Sequence, residues 1–185
     1  MKTDFNVCVY CGSASGNNPV HQEAVAAIGA EIAKNGMNIV YGGGGVGMMG
    51  ILADNAVNNN AKVFGIMPKY LITQEAKREG LTDLQIVEHI HTRKKLMEDT
   101  ADVFLVLPGG LGTLDELFEV LVLKRLQQLH QPVIIFNSEG YWDGIISFIR
   151  KMREEGFASI EDEQNFKAAS TVEEVISMLV QARDC

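Results

Sequence analysis

Residues Asp102–Val120 read "DVFLVLPGGLGTLDELFEV", and this stretch decides the fold. Asp102–Leu107 is almost continuously apolar and β-rich, the pattern of a strand buried on both faces. Pro108, Gly109 and Gly110 interrupt it with turn chemistry. From Leu114 onward the apolar residues recur at helical spacing, and a helix is expected from Leu114 to His130. Strand, glycine turn and long helix make the first part of a βαβ unit. The next β-rich run, "PVIIF" (Pro132–Phe136), should then lie parallel to the first.

The same alternation extends in both directions. Upstream, strands are expected at Phe5–Tyr10, Asn38–Tyr41, Lys62–Met67 and Leu84–Ile90. Helices are expected between them at Pro19–Asn35, Met48–Asn59, Leu71–Arg78 and His91–Thr100. Downstream, helices are expected at Tyr141–Glu155 and Thr171–Arg183, the last opening on "TVEE" as a capping box. Right-handed crossovers then imply one α/β domain over residues 1–185. Its architecture is Rossmann-like and doubly wound, a mainly parallel sheet of about six or seven strands flanked by helices. In such sheets ligands bind beyond the carboxyl ends of the strands.

Composition narrows the partners. The chain has 185 residues, 46% hydrophobic and 22% charged, with a net charge of −8. That balance argues against a general nucleic-acid or anionic-membrane surface. It leaves room for a small anion held by backbone amides and one or two cations. No apolar run reaches the roughly 18 residues of a membrane span. "MKTDFNVCVY" enters a strand without a signal-peptide pattern, and three sparse cysteines (Cys8, Cys11, Cys185) make no disulfide framework, so a cytoplasmic protein is expected.

Three loops after strands are glycine-rich: "CGSASG", "GGGGVGMMG" and "PGGLGT". In the first, Gly12 and Ser13 suit a nucleoside or a phosphate, or ordinary turn chemistry. The second holds Gly45-x-Gly47-x-x-Gly50, but it follows the second strand, and no acidic residue stands about 20 positions on, as a dinucleotide site needs. It reads instead as a loop where backbone approaches a ligand, with Gly44 as the contact, or where helix packs on sheet. Cys8-x-x-Cys11 has a redox spacing, yet Cys8 sits within a strand, so packing is the preferred role. His89 and His91 would share a strand face, but no Asp or Cys nearby completes a metal set, and no metal is expected. "HTRKK" places cations early in a helix, against the macrodipole, which points Arg93 and Lys94 at an anionic substrate or a carboxylate.

In "PGGLGTLDE", Gly109 and Gly110 permit close backbone approach, while Gly112 and Thr113 offer amides at a helix start suited to phosphate. No Gly-Lys-Ser/Thr follows, so it is not a Walker loop. Thr113-x-x-Glu116 also fits a capping box, which would make Glu116 structural. If a substrate phosphate satisfies the helix amides instead, the carboxylate is free to do chemistry, and the residues alone leave both roles for Glu116 open. The long helix is apolar on several faces: Leu114, Leu117, Phe118 and Leu121 form one stripe, and Val120, Val122, Leu123 and Leu126 lie elsewhere. A sheet covers one face, so a homodimer or higher homo-oligomer is expected.

Taken together, "PGGLGTLDE", "TRKKLM", "YCGSASG", "YGGGGVGMMG" and "GIMPKYL" resemble, in order and spacing, the motifs of the LOG ("lonely guy") family. The resemblance covers about Val7 to Trp142. It implies a nucleotide-binding domain and a cytokinin riboside 5′-monophosphate phosphoribohydrolase that also accepts AMP, needing no cofactor. It implies Arg93 and Glu116 as the catalytic pair. Gly109, Gly110, Gly112 and Thr113 would hold the phosphate, Glu75 and Lys94 would also touch substrate, and the assembly would be built from dimers. Two other readings compete: a non-catalytic nucleotide carrier similar to molybdenum-cofactor carriers, and a pyridoxal-phosphate decarboxylase. The second needs a Schiff-base lysine that the sequence does not clearly place.

Overall fold

The structure is a computed structural model that describes residues 4–72 and 80–185. Seven strands form one sheet: β1 (Asn6–Tyr10), β2 (Asn38–Tyr41), β3 (Val63–Pro68), β4 (Asp83–Val87), β5 (Val103–Val106), β6 (Val133–Phe136) and β7 (Lys167–Ala169). Their order is β4-β3-β2-β1-β5-β6-β7, and every pairing is parallel. The α-helices among the described residues are α1 (Pro19–Lys34), α2 (Gly47–Asn58), α3 (Ile90–Thr100), α4 (Leu111–Arg125), α5 (Asp143–Glu154), α6 (Ile160–Gln164) and α7 (Val172–Asp184).

Alternation along the strands divides the core in two. Val7, Val9, Ile39 and Tyr41 face Val25, Ile28 and Ile32 of α1, Leu52 of α2 and Leu179 of α7. Cys8, Tyr10, Val40, Phe104 and Val106 face Met97 of α3, Leu117 and Val120 of α4, and Trp142. Each fully buried aliphatic side chain in these layers contributes about 1.5–3 kcal/mol. Both faces are thus covered, as a parallel sheet requires. Among the described residues no helix is long and apolar enough to cross a membrane.

Strand order reverses between β1 and β5, the point at which doubly wound sheets open a crevice. The loops that follow these strands touch there: the Gly12 amide donates to the Pro108 carbonyl at 3.1 Å. A Cβ on Gly47 (φ +64) would collide with the Ser13 carbonyl, and one on Gly50 would stand 2.6 Å from the Gly45 oxygen. Those glycines of the Gly-x-Gly-x-x-Gly run let the start of α2 pack against its neighbours.

Several boundaries differ from expectation. The long helix starts at Leu111, one turn earlier than Leu114, with Gly110 as its N-cap, and ends at Arg125 rather than His130. Its buried residues are Thr113, Glu116, Leu117 and Val120; of the expected apolar stripe Leu117 is fully buried, while Leu114, Phe118 and Leu121 are half-buried. β4 ends at Val87, so His89 caps α3 and His91 lies in its first turn; they do not share a strand face. At "TVEE", Thr171 Oγ1 accepts from the Glu174 amide at 3.2 Å, but Glu174 turns to the Ser170 amide at 2.7 Å, leaving half a box. Helix α6 and strand β7 were not expected. Of the helix expected at Leu71–Arg78, a 3-10 turn at Lys69–Leu71 is seen, and residues 73–79, including Glu75, lie outside the described residues.

Candidate active site

Arg93 sits on the second turn of α3 and spans three elements. Its Nε donates to the Ile66 carbonyl of β3 at 3.1 Å, and its Nη2 lies 2.9 Å from Glu116 Oε1 on α4. Their side chains are 12% and 6% exposed, so this is a largely desolvated ion pair. The sequence makes room for it at Gly42, just after β2: a Cβ there would collide with Arg93 Nη2 and approach Met49 Sδ to 3.0 Å.

Lys94 follows directly and turns to the same helix. Its Nζ is 3.0 Å from Asp115 Oδ2 and 2.8 Å from Glu119 Oε2. Two consecutive residues of α3 therefore grip three acidic residues of α4. Burial works to lower the Lys94 pKa, but the hydrogen bonds to Glu119 and Asp115 outweigh it and hold the ammonium above the usual lysine value. The Cys8 thiol is pushed well up, first by burial and then by the negative charge of Glu116. Cys8 and Cys11 are both buried, and Cys8, with its thiol pushed up, cannot supply the thiolate that a redox pair uses.

Glu116 does not cap its helix. With Gly110 at the N-cap, Thr113 lies a full turn inside α4, so the Thr113–Glu116 spacing is that of two residues on one buried face. No side chain caps this helix, and its first amides have no intrahelical partners. The glycines around it divide by role. A Cβ on Gly109 would meet Thr113 Oγ1 and stand 2.8 Å from the Gly12 nitrogen, so Gly109 serves close packing. A Cβ on Gly110 or Gly112 would meet no protein atom within 4 Å. These two border open space at a positive helix end, an arrangement that receives anions.

Beside this helix start, at the β1/β5 reversal, lies a cleft of about 270 Å3 lined by Ser13, His21, Met48, Gly109, Gly110 and Tyr141 among others. The Tyr141 hydroxyl donates to the Gly109 carbonyl at 2.6 Å and so fixes the loop. Ser13 and Gly110 are exposed within it. The structure thus brings together Arg93 with Glu116, and Ser13 with Gly109 and Gly110, while Gly112 and Thr113 stand on the first turn of α4. Gly44 is placed elsewhere: it is buried, and its carbonyl accepts from the Tyr41 hydroxyl at 3.2 Å. Lys94 faces α4 rather than this cleft.

Sequence reading missed two residues. Gly42 was one glycine among four, and nothing local distinguished it. His21 did carry a signal: it stands four residues before Val25 on the buried face of α1, where an apolar side chain is the rule. Among the described residues no group of three His, Cys, Asp or Glu is gathered as metal ligands.

Residues 49–179 match the family model described as "possible lysine decarboxylase". Cytokinin riboside 5′-monophosphate phosphoribohydrolase LOG1 of Arabidopsis thaliana is 36% identical over 94% of this chain and 81% of its own length. The phosphoribohydrolase LOG of Oryza sativa subsp. japonica is 36% identical over 94% of this chain and 72% of its own. Among solved structures, the molybdenum cofactor carrier protein of Chlamydomonas reinhardtii superposes with a TM-score of 0.75 at 16% identity, over 98% of this chain and 99% of that one. The molybdenum cofactor binding protein of Rippkaea orientalis gives 0.68 at 22%, over 98% and 97%. At such identity the solved structures establish the shared α/β architecture, whereas the sequence relatives span nearly the whole chain and establish descent: the chain belongs to the LOG family.

Proposed function

We propose that this protein is a nucleoside 5′-monophosphate phosphoribohydrolase acting on cytokinin riboside 5′-monophosphates and on AMP. The observation that carries the reading is the desolvated Arg93–Glu116 pair, set on the same helix whose uncapped start borders open space at Gly110 and Gly112. The phosphate of the nucleotide takes the amides at Gly110, Gly112 and Thr113, and the N-glycosidic bond comes to Glu116.

The reaction breaks the bond between ribose C1′ and the purine nitrogen. Positive charge builds on the ribose as the base leaves, as in glycoside cleavage. The Glu116 carboxylate stabilises that charge and orients the water that adds to C1′. The water's hydroxyl ends on C1′ and its proton on the departing base. Arg93 remains a cation throughout and cannot serve as the acid. It fixes Glu116 and offers positive charge to the leaving base. Such preformed charges act on the transition state more than on bound substrate.

Neither competing reading uses this geometry. A carrier needs no buried Arg–Glu pair. A Schiff-base mechanism needs a lysine that gives up its proton, and Lys94 is held protonated between Asp115 and Glu119. The exposed apolar residues of α4 support a homodimer built on that helix, and the net charge of −8 supports a small-molecule substrate rather than nucleic acid. We place the enzyme in the cytoplasm as a single nucleotide-binding domain.

The test is base release. Isopentenyladenosine monophosphate and AMP are incubated with the wild type and with Glu116→Gln, and free base is followed chromatographically. The wild type should release base and the variant should lose about 100- to 1,000-fold in kcat, at the scale of a lost transition-state contact. Near-normal turnover in the variant, or binding without base release by the wild type, overturns the reading.

A further inference from the structure

We infer that this chain holds a second ligand site, a cavity beneath the amino ends of β6 and β7 that takes a small organic monocarboxylate with an apolar body. The inference goes beyond the hydrolase reading and does not depend on it, since the cavity lies at the opposite end of the parallel strands from Gly42 and the glycine loops.

The cavity measures about 540 Å3, within the range of pockets that hold small ligands. Pro132 and Ile134 at the start of β6, Phe166 just before β7 and Met178 on α7 give it apolar walls. Ile134 and Lys167 are partners in the β6–β7 register, so both side chains leave the same face of the sheet. Lys124 and Lys167 are the charged side chains of the lining. Among the described residues no aspartate or glutamate belongs to it, in a chain of net charge −8. Lys124 is the sharper observation. Its Nζ donates to the Gln131 carbonyl at 2.8 Å and to the His130 carbonyl at 3.4 Å. Gln131 is joined to Pro132 through that carbonyl, so the ammonium stands against the Pro132 wall. The two carbonyls take two of its three protons and leave one donor. Burial alone holds the Lys124 pKa below the usual lysine value, and no carboxylate offsets it. A charge drawn out of water without a counter-ion costs stability, and an occupant that brings a carboxylate supplies the missing partner. Helices α4 and α7 end near the cavity, and the partial negative charge of those ends favours a single carboxylate over a phosphate dianion. The apolar walls take the hydrocarbon part.

The experiment uses the full chain, with octanoate as the probe and octanol, of the same length without the charge, as control. Cys185 lines the cavity and is exposed, whereas Cys8 and Cys11 are buried. Alkylation of Cys185 by neutral iodoacetamide, followed by mass spectrometry, therefore reports on the cavity and not on the catalytic cleft. Octanoate should slow it saturably, and octanol at the same concentration should not. Calorimetry gives the dissociation constant. Lys124→Gln keeps a donor for the Gln131 carbonyl but carries no charge. It should weaken octanoate binding at least about tenfold, the worth of one hydrogen bond to a charged group. Should that variant fold poorly, Ala182→Phe fills the cavity from α7 and should abolish the binding heat. Cys185 alkylation indifferent to octanoate, octanol acting as well as octanoate, or an octanoate affinity that the variant leaves unchanged overturns the inference. Base release plays no part in these measurements, so a failure of the hydrolase reading leaves their outcome untouched.

Discussion

The guanidinium of Arg93 occupies the space that a side chain on Gly42 would need. Gly42 has no positive φ, so its backbone admits alanine, and the demand for glycine there comes first from the arginine and second from Met49 Sδ, 3.0 Å from where a Cβ would stand. Gly42→Ala should push Arg93 off Glu116 while the sheet still forms. The expected outcome is a loss of about 100-fold in kcat, typical of a misplaced catalytic group, with circular dichroism unchanged. A fully active Gly42→Ala enzyme would show that Arg93 need not sit where it does.

Lys94 tests whether the α3–α4 grip sets the geometry of the pair. Removing a buried partner leaves its counter-charges unsatisfied, but Asp115 is 59% and Glu119 33% exposed, so water recovers much of the cost. Lys94→Met should lose about 1–2 kcal/mol, or roughly 2–8 °C in Tm for a chain of this length. If Lys94 acts through α4, kcat falls more than KM rises, and Lys94→Arg restores part of it. A rise in KM alone would instead return Lys94 to substrate contact, the role implied by resemblance.

How much of this was legible beforehand can be argued from particular residues. The sheet was legible because its central strands are continuous apolar runs, and Asn38–Tyr41 was placed to the residue. β7 was not, because its three residues are short, two of them exposed, and paired only through the backbone of β6. Arg93 and Glu116 were legible as a pair through ordered motifs. Whether Glu116 caps its helix was not, since Thr113-x-x-Glu116 imitates a cap when the helix start is set three residues late. Spacing cannot tell a cap from a buried face until the true N-cap, Gly110, is known. Gly42 stayed invisible because its constraint comes from a residue 51 positions away, a distance read off the numbering.

Glu98 gives a pH prediction. Burial first, and then the charge of Glu119, holds its carboxyl above the ordinary glutamate value, against the opposing pull of Lys95 and Lys94. The folded state therefore keeps this proton to a higher pH than the unfolded chain does. The stabilising contribution is whole below the ordinary glutamate pKa and is lost as pH rises through the raised one. Glu98→Gln carries a permanent neutral group. It should melt higher than wild type at neutral pH, and the difference should close toward about pH 4. A Tm difference independent of pH would remove Glu98 as its cause.

The face of α4 turned from the sheet predicts an assembly. Leu111 is 85% exposed, Val122 and Leu126 more than half, and Phe118, Val122, Phe157 and Ile149 border a groove beside α5. Covering the exposed half of two such side chains contributes about 2–3 kcal/mol to association, a factor of roughly 30–150 in Kd. Val122→Glu with Leu126→Glu should convert a sedimenting dimer to monomer at micromolar concentration. A wild-type chain that sediments as a monomer would mean this face is covered by something else, or by nothing.

Gly112 separates binding from stability most sharply. A Cβ there meets no protein atom, and the residue lies in the first turn of α4, where alanine is the better helix former by about 1 kcal/mol. Packing alone therefore predicts that Gly112→Ala stabilises the protein, by about 2–4 °C in Tm. A phosphate resting on the amides of that turn needs the same space. The two demands oppose each other, so a raised Tm should come with a KM for AMP at least about tenfold higher, the worth of one lost contact to a charged group. Thermal melts and steady-state kinetics on the same preparation check both signs together. A variant that gains stability and keeps its KM would place the phosphate away from the start of α4.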